Sequence, residues 1–191
     1  MKKYNDELMF NDLQGKRIHG RLYQKFFLYP KLKRNISGKL LDVGAGLGDF
    51  FIFYKNSVAA DINKHGVDHC ISRSIEAKLI VNDRIDYEKE TFDTVIMDNV
   101  IEHIWDPEQL ILEVHRTLKK RGRVIIGVPG IKGFELDFDH KVFYDDVKLI
   151  NSLSKFKFKF KFIKKFYTPF KSEFFNKHLK AYCLYCIFEK V

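Results

Sequence analysis

A chain of 191 residues with 46% hydrophobic side chains is long enough for one domain with a full core. Three cysteines make no disulfide framework, no apolar run approaches the about 20 residues that cross a bilayer, and the start MKKYNDELMF lacks the apolar stretch of a secretory signal, so the chain reads as cytoplasmic. The net charge of +9 is uneven: residues 1–39 carry 10 basic and 3 acidic side chains, 40–130 carry 11 and 15, and 131–191 carry 13 and 7.

Ile18, Leu22 and Phe26, with Tyr23 and Phe27, fall at helical spacing, while Lys16, Arg17, Arg21 and Lys25 fall mostly off that face. This predicts an amphipathic helix that stops before Pro30. KLLDV then reads as a strand, GAGLG as a glycine turn and DFFIFY as a short helix. SVAAD and KLIV read as the second and third strands and TVIMD as a fourth, apolar on both faces, which suits a parallel sheet covered by helices. Asp106 as cap, Pro107 at the first position and Gln109 at capping-box spacing open the next helix. Its buried face is Leu110, Ile111, Val114 and Leu118; Lys119, Lys120 and Arg121 suit its negative end, and Gly122 closes it. RVIIGVP is a fifth strand, and the alternation implies right-handed βαβ units.

Beyond residue 129 the pattern changes. DDVKLINSL reads as one more helix. In KFKFKFKFI one face is phenylalanine and the other lysine, as in a sheet edge with one wet face. LKAYCLYCIFE is a last strand, and with no helix predicted between these two they form an antiparallel pair. Cys183 and Cys186, three apart on that strand, point to opposite faces and read as packing rather than a metal pair. No repeat or linker divides the chain, which reads as an N-terminal helical extension or cap over 1–37 and a domain over 38–191.

The chemistry concentrates at Asp42-Val43-Gly44-Ala45-Gly46-Leu47-Gly48. Glycines at a strand-to-helix turn let a ligand approach the backbone. The dinucleotide fingerprint wants a third glycine three after the second; here Asp49 stands there and Gly48 comes one earlier. Asp42 beside the turn repels a pyrophosphate but suits a cationic amino group, which favours a cationic or zwitterionic adenosyl ligand over NAD. Asp61, ending the second strand, is placed to accept bonds from two ribose hydroxyls. Asp83, after the third, is placed for an adenine amino group, with Ile62 and Ile85 flanking the ring and Arg84 between.

These residues carry a resemblance. LLDVGAGLGDF, VAADIN, IVNDRI, FDTVIMDNVIEHIWDPEQLILEVHRTLKKRGRVIIGVP and DHKVFYDDVKLI together resemble class I S-adenosylmethionine-dependent methyltransferases, in the group of small-molecule methyltransferases. The resemblance implies a Rossmann-like, doubly wound α/β sheet of seven strands, mostly parallel with one antiparallel strand, in three α/β/α layers. It implies that Gly44, Ala45, Gly46 and Gly48 abut the methionine portion of S-adenosylmethionine, Asp61 the ribose and Asp83 the adenine. Asp98, Asn99 and Val100 would lie beside the sulfonium. Two departures stand out: twelve residues separate Gly48 from Asp61, so the first helix is short, and the stretch from Asp83 to Phe92 is compressed.

Methyl transfer displaces a neutral leaving group from a sulfonium, so positioning and desolvation supply much of the catalysis and no metal is expected. A hydroxyl acceptor benefits from a base, and His140 and His103 are the candidates, with Glu102, Asp137 and Asp139 nearby. Arg17 and Arg21 on a helical lid, with Tyr144, are candidate contacts to the acceptor. The basic flanks suit a small anionic acceptor such as a nucleotide sugar or surface-glycan precursor, and allow peripheral membrane contact, unless the lysines only solvate exposed faces. Two alternatives remain: a nucleic-acid methyltransferase, disfavoured because Asp98-Asn99-Val100-Ile101 has no Pro-Pro-aromatic sequence, and a non-catalytic partner protein that keeps the fold.

Overall fold

A computed structural model describes residues 22–155 and 159–191. Strands β1 (Leu40–Val43), β2 (Ser57–Asp61), β3 (Ala77–Leu79), β4 (Phe92–Asp98), β5 (Leu118–Pro129), β6 (Phe160–Thr168) and β7 (Cys183–Lys190) form one sheet in the order β3-β2-β1-β4-β5-β7-β6. All neighbours among β1 to β5 pair in parallel, and β7 runs antiparallel to both β5 and β6. The seven-stranded, mostly parallel expectation therefore holds, and the phenylalanine–lysine strand lies at an edge as its alternation predicts. Phe160 is buried and Lys161 exposed, while Phe156 and Phe158 lie outside the described residues.

The helices are α1 (Tyr29–Lys33), α2 (Lys64–Ser72), α3 (Glu108–Thr117), α4 (Ile131–Glu135), α5 (Asp146–Leu153) and α6 (Glu173–His178). Alternation along each strand sorts the core onto the two sheet faces. Leu41, Val43, Val95, Met97, Val124, Ile126, Cys186 and Phe188 pack with Leu110, Ile111 and Val114 of α3 and with Leu149 and Leu153 of α5. Leu40, Ile96, Ile125, Cys183, Tyr185 and Ile187 face the other way, onto Leu28, Tyr29 and Leu32. Cys183 and Cys186 thus lie on opposite faces, as their spacing requires.

Several boundaries differ from expectation. Pro30 does not stop the N-terminal helix: a π-helical turn over Gln24–Leu28 leads into α1, whose first turn takes the proline where no N–H is needed. The buried side chains there are Leu28, Tyr29 and Leu32, whereas Leu22, Phe26 and Phe27 are exposed; Ile18 lies outside the described residues. α3 starts one residue late, with Pro107 as N-cap and Asp106 Oδ1 accepting from the Glu108 N–H at 3.1 Å. It ends at Thr117, and the chain turns straight into β5, so Lys119 to Gly122 lie on the strand rather than at the helix end. They form an irregularity between the Phe92–Leu118 and Thr94–Arg123 pairs, with Arg121 at φ +63°. Lys119 there reaches the Asp93 carboxylate at 2.9 Å, a tertiary partner that wins over the helix end. Finally, α6 stands between β6 and β7, where no helix was expected, yet the pair is antiparallel.

Candidate active site

The C-terminal ends of β1, β2 and β4 meet at one edge of the sheet, where open α/β folds bind their ligands. The turn after β1 holds Gly44, Gly46 and Gly48 at φ +74°, +54° and +68°, a run of left-handed conformations that any side chain would strain. A Cβ on Gly44 would lie 2.5 Å from Val100 Cγ2, so the glycine turn and the segment after β4 touch. Ala45 is half-buried beside them, and Asp42 is half-buried on β1.

Asp61 bridges the elements. Its Oδ2 accepts from the Gly46 N–H at 2.7 Å and its Oδ1 from the Asn63 N–H at 2.8 Å. Asn63 in turn caps α2, its Oδ1 accepting from the Gly66 N–H at 3.1 Å. The carboxylate is 5% exposed, so it is gripped from both sides rather than displayed to solvent. The two isoleucines expected beside the adenine divide: Ile62, just after β2, is 65% exposed, whereas Ile85, after β3, is fully buried in the core with Phe92, Val95 and Leu110. Ile85 therefore cannot flank a ring as the sequence suggested; its backbone N–H donates to Glu113 instead. Asp83, half-buried at φ +59°, and exposed Arg84 form the tight turn next to it.

At the end of β4, Asp98 Oδ1 accepts from the Tyr185 hydroxyl at 2.7 Å and from the Asn99 side-chain amide at 3.1 Å. Asn99 has φ +56° and its N–H donates to the Gly127 carbonyl at 3.0 Å. Burial and the adjacent Asp98 push the Tyr185 hydroxyl far above the ordinary phenol range, so it stays a donor. Sequence reading found Asp98 and Asn99 but missed Tyr185, Gly127 and Asn63. The available signal was Gly127 inside an otherwise β-branched strand, which marks a close approach.

The two candidate bases are adjacent. The His103 and His140 ring centroids are 4.6 Å apart. His103 Nδ1 lies 3.0 Å from Asp139 Oδ2, and His140 Nδ1 lies 3.0 Å from the Phe134 carbonyl. Both partners only accept, so each ring donates from Nδ1 and turns Nε2 away from that partner. Burial lowers the His140 imidazole below its usual pKa, opposed by the Phe134 carbonyl, and the His140 side chain is only 6% exposed against 27% for His103. Glu102 beside them is fully buried, with neither carboxyl oxygen hydrogen-bonded, and burial pushes its pKa up to about 8. One ligand atom from each of Glu102, His103 and His140 falls within 4.8 Å of the others. Tyr144 is 5% exposed and packs in the core, its hydroxyl pKa raised by burial, so it presents little surface to an acceptor. Arg17 and Arg21 lie outside the described residues.

Residues 41–126 match the model of a methyltransferase domain family. An uncharacterised protein of Methanocaldococcus jannaschii is 31% identical over 98 residues, 51% of this chain and 48% of its own length. The ubiquinone/menaquinone biosynthesis C-methyltransferase UbiE of Blochmanniella pennsylvanica is 27% identical over 69% of this chain and 58% of its own length. The chain thus spans about half the length of the curated relatives it matches. Among solved structures, a Thermotoga maritima SAM-dependent methyltransferase described as a possible histamine N-methyltransferase superposes with a TM-score of 0.75, at 16% identity and 97% coverage of both chains.

Proposed function

We propose, from the premise that this chain carries a class I S-adenosylmethionine-dependent methyltransferase domain, that it transfers the methyl group of S-adenosylmethionine to a small anionic acceptor. The observation that carries the reading is the three-glycine turn pressed against Val100 with the Asp61 carboxylate beneath it. In this reading Asp42, Gly44, Ala45, Gly46 and Gly48 hold the methionine end. Asp61, held by the Gly46 and Asn63 N–H groups at the end of β2, faces the ribose hydroxyls. Exposed Ile62, with Asp83 and Arg84, borders the adenine. Asp98, fixed by the Tyr185 hydroxyl, and Asn99 and Val100 border the sulfonium.

Bound S-adenosylmethionine would supply a methyl group on a positively charged sulfonium, and its transfer to the acceptor's lone pair would leave a neutral thioether. A positive sulfonium and a negatively charged acceptor would attract each other, and the site's contribution is alignment. The transfer itself requires no metal. The basic flanks support an acceptor with phosphate or carboxylate groups, of which a nucleotide sugar or glycan precursor is the type proposed. The UbiE relative's name supports a second reading, C-methylation of a quinol precursor.

Titration calorimetry with S-adenosylmethionine and S-adenosylhomocysteine tests the cofactor. The full chain gives saturable heat, and Asp61→Asn weakens binding about 10–100-fold while keeping the fold by circular dichroism. Absence of heat with the parent protein overturns the reading. Labelled methyl donor offered with nucleotide sugars, quinol precursors and RNA then identifies the acceptor; label on RNA alone refutes the small-molecule assignment.

A further inference from the structure

Among the described residues, the cluster after β4 has a feature that methyl transfer leaves unused. Glu102 is 0% exposed, and both of its carboxyl oxygens lack a hydrogen-bond partner. A buried carboxyl left without partners costs stability, and a protein keeps one where something else satisfies it. His140 Nε2 lies 3.8 Å from its Oε1, too far for a hydrogen bond and suited to a shared ligand between them.

The chain around Glu102 is built to hold it there. Its carbonyl accepts from the Lys141 N–H at 2.7 Å and the Val142 N–H at 3.0 Å, which fastens the turn Ile101–His103 to the loop bearing His140. The ammonium of Lys141 reaches the His103 carbonyl at 2.6 Å and reinforces the same junction. Residues far apart in sequence thus present their side chains to one point.

We propose that Glu102, His103 and His140 form a binding site for one divalent transition cation, of which Zn²⁺ is the type. The donor set is two imidazole nitrogens and one carboxylate, the composition of open zinc sites that leave a fourth position for an exogenous oxygen. Both imidazoles are already oriented for it. Asp139 holds His103 through Nδ1 and the Phe134 carbonyl holds His140 through Nδ1, so each ring offers Nε2, in the arrangement by which outer carboxylates and carbonyls fix metal-binding histidines. The His140 ring is further pinned between His103, at 4.6 Å, and Phe134, stacked at 5.2 Å. One ligand atom from each of the three lies within 4.8 Å of the others, and a zinc ion would draw them to bonds of about 2.0–2.2 Å. The half-exposed His103 gives the ion a way in. Glu102 and His103 lie in the turn Ile101–His103 that directly follows Asp98, Asn99 and Val100. The site stands on its own residues and does not depend on the methyltransferase reading.

Untagged protein, stripped with chelator and dialysed, is titrated with Zn²⁺ by calorimetry and with Co²⁺ by visible absorption. The expected result is one ion per chain and cobalt d–d bands of a low-coordinate nitrogen–oxygen site. Glu102→Gln, which preserves shape, abolishes both signals, and Asp139→Asn weakens the affinity about 10–100-fold by loosening His103. The melting temperature of the parent rises with Zn²⁺ and that of Glu102→Gln does not, a readout that holds even where the variant is less stable. S-adenosylmethionine binding, measured in the same samples, separates failure of this site from failure of the cofactor pocket. Superstoichiometric, weak binding that Glu102→Gln leaves unchanged, or no binding by the parent, overturns the proposal.

Discussion

Gly127 shows how much of a site one missing methyl can decide. A Cβ at this position would overlap the Tyr185 ring and lie 2.6 Å from Asp98 Oδ1, so the bare backbone is what lets the hydroxyl reach its carboxylate. Gly127→Ala is expected to cost about 1–3 kcal/mol by overpacking, read from the midpoint of urea unfolding. Tyr185→Phe, which removes the hydrogen bond alone, is expected to cost about 1–2 kcal/mol. A loss well below about 1 kcal/mol from either substitution would contradict this account of the site. At this scale the sequence displayed what is local. Asp42, the glycines and Asp61 sit in one short stretch, so their chemistry can be read from spacing. Tyr185 and His140 reach their partners across the sheet or a loop, and Ile85 turns into the core. No local pattern encodes those outcomes.

Helix α3 and the segment before β4 show what a helix does beyond filling a face. Glu113 accepts from Arg116 Nε at 2.8 Å and from the Ile85 N–H at 3.1 Å, and Arg116 donates to the carbonyls of Ile85 at 2.8 Å and Tyr87 at 2.9 Å. The clamp secures backbone that has no strand to pair with. The Arg116 hydrogen bond, ahead of burial that opposes it, lowers the Glu113 pKa below the ordinary value for glutamate. A carboxyl whose folded-state pKa is depressed stabilises the fold above its unfolded pKa, and that contribution fades as pH falls through the folded value. Parent and Glu113→Gln melting temperatures should therefore differ at pH 7 and converge as the pH is taken below the glutamate range; a gap that widens in acid would reverse the sign. The buried face of α3 was legible because apolar residues recur at helical spacing. Its ends were not, because Lys119 found Asp93 and the chain went directly into β5.

The whole sheet is legible as a class and less so in its closure. Alternating strand and helix signals specify the parallel half through β5, since each apolar strand must be covered on both faces. The β7 insertion between β5 and β6 follows from long-range pairing, and α6 is too short for periodicity to announce. Phe188, fully buried and edge-on to Phe162 with centroids 5.7 Å apart, ties the antiparallel strands to the rest of the core. Phe188→Ala is expected to lose about 3–5 kcal/mol, measured by urea unfolding, and a loss under 1 kcal/mol would mean that β6 and β7 are only loosely joined to the domain. Position in space runs against position in sequence here: β6 precedes β7 along the chain yet joins the sheet only through it. Strand β6 therefore reaches the sheet only through residues 183–190, whether the two strands pair with each other before or after β7 docks on β5. An unattached β6 would present an open strand edge to other chains, against which its lysine charges act as a safeguard.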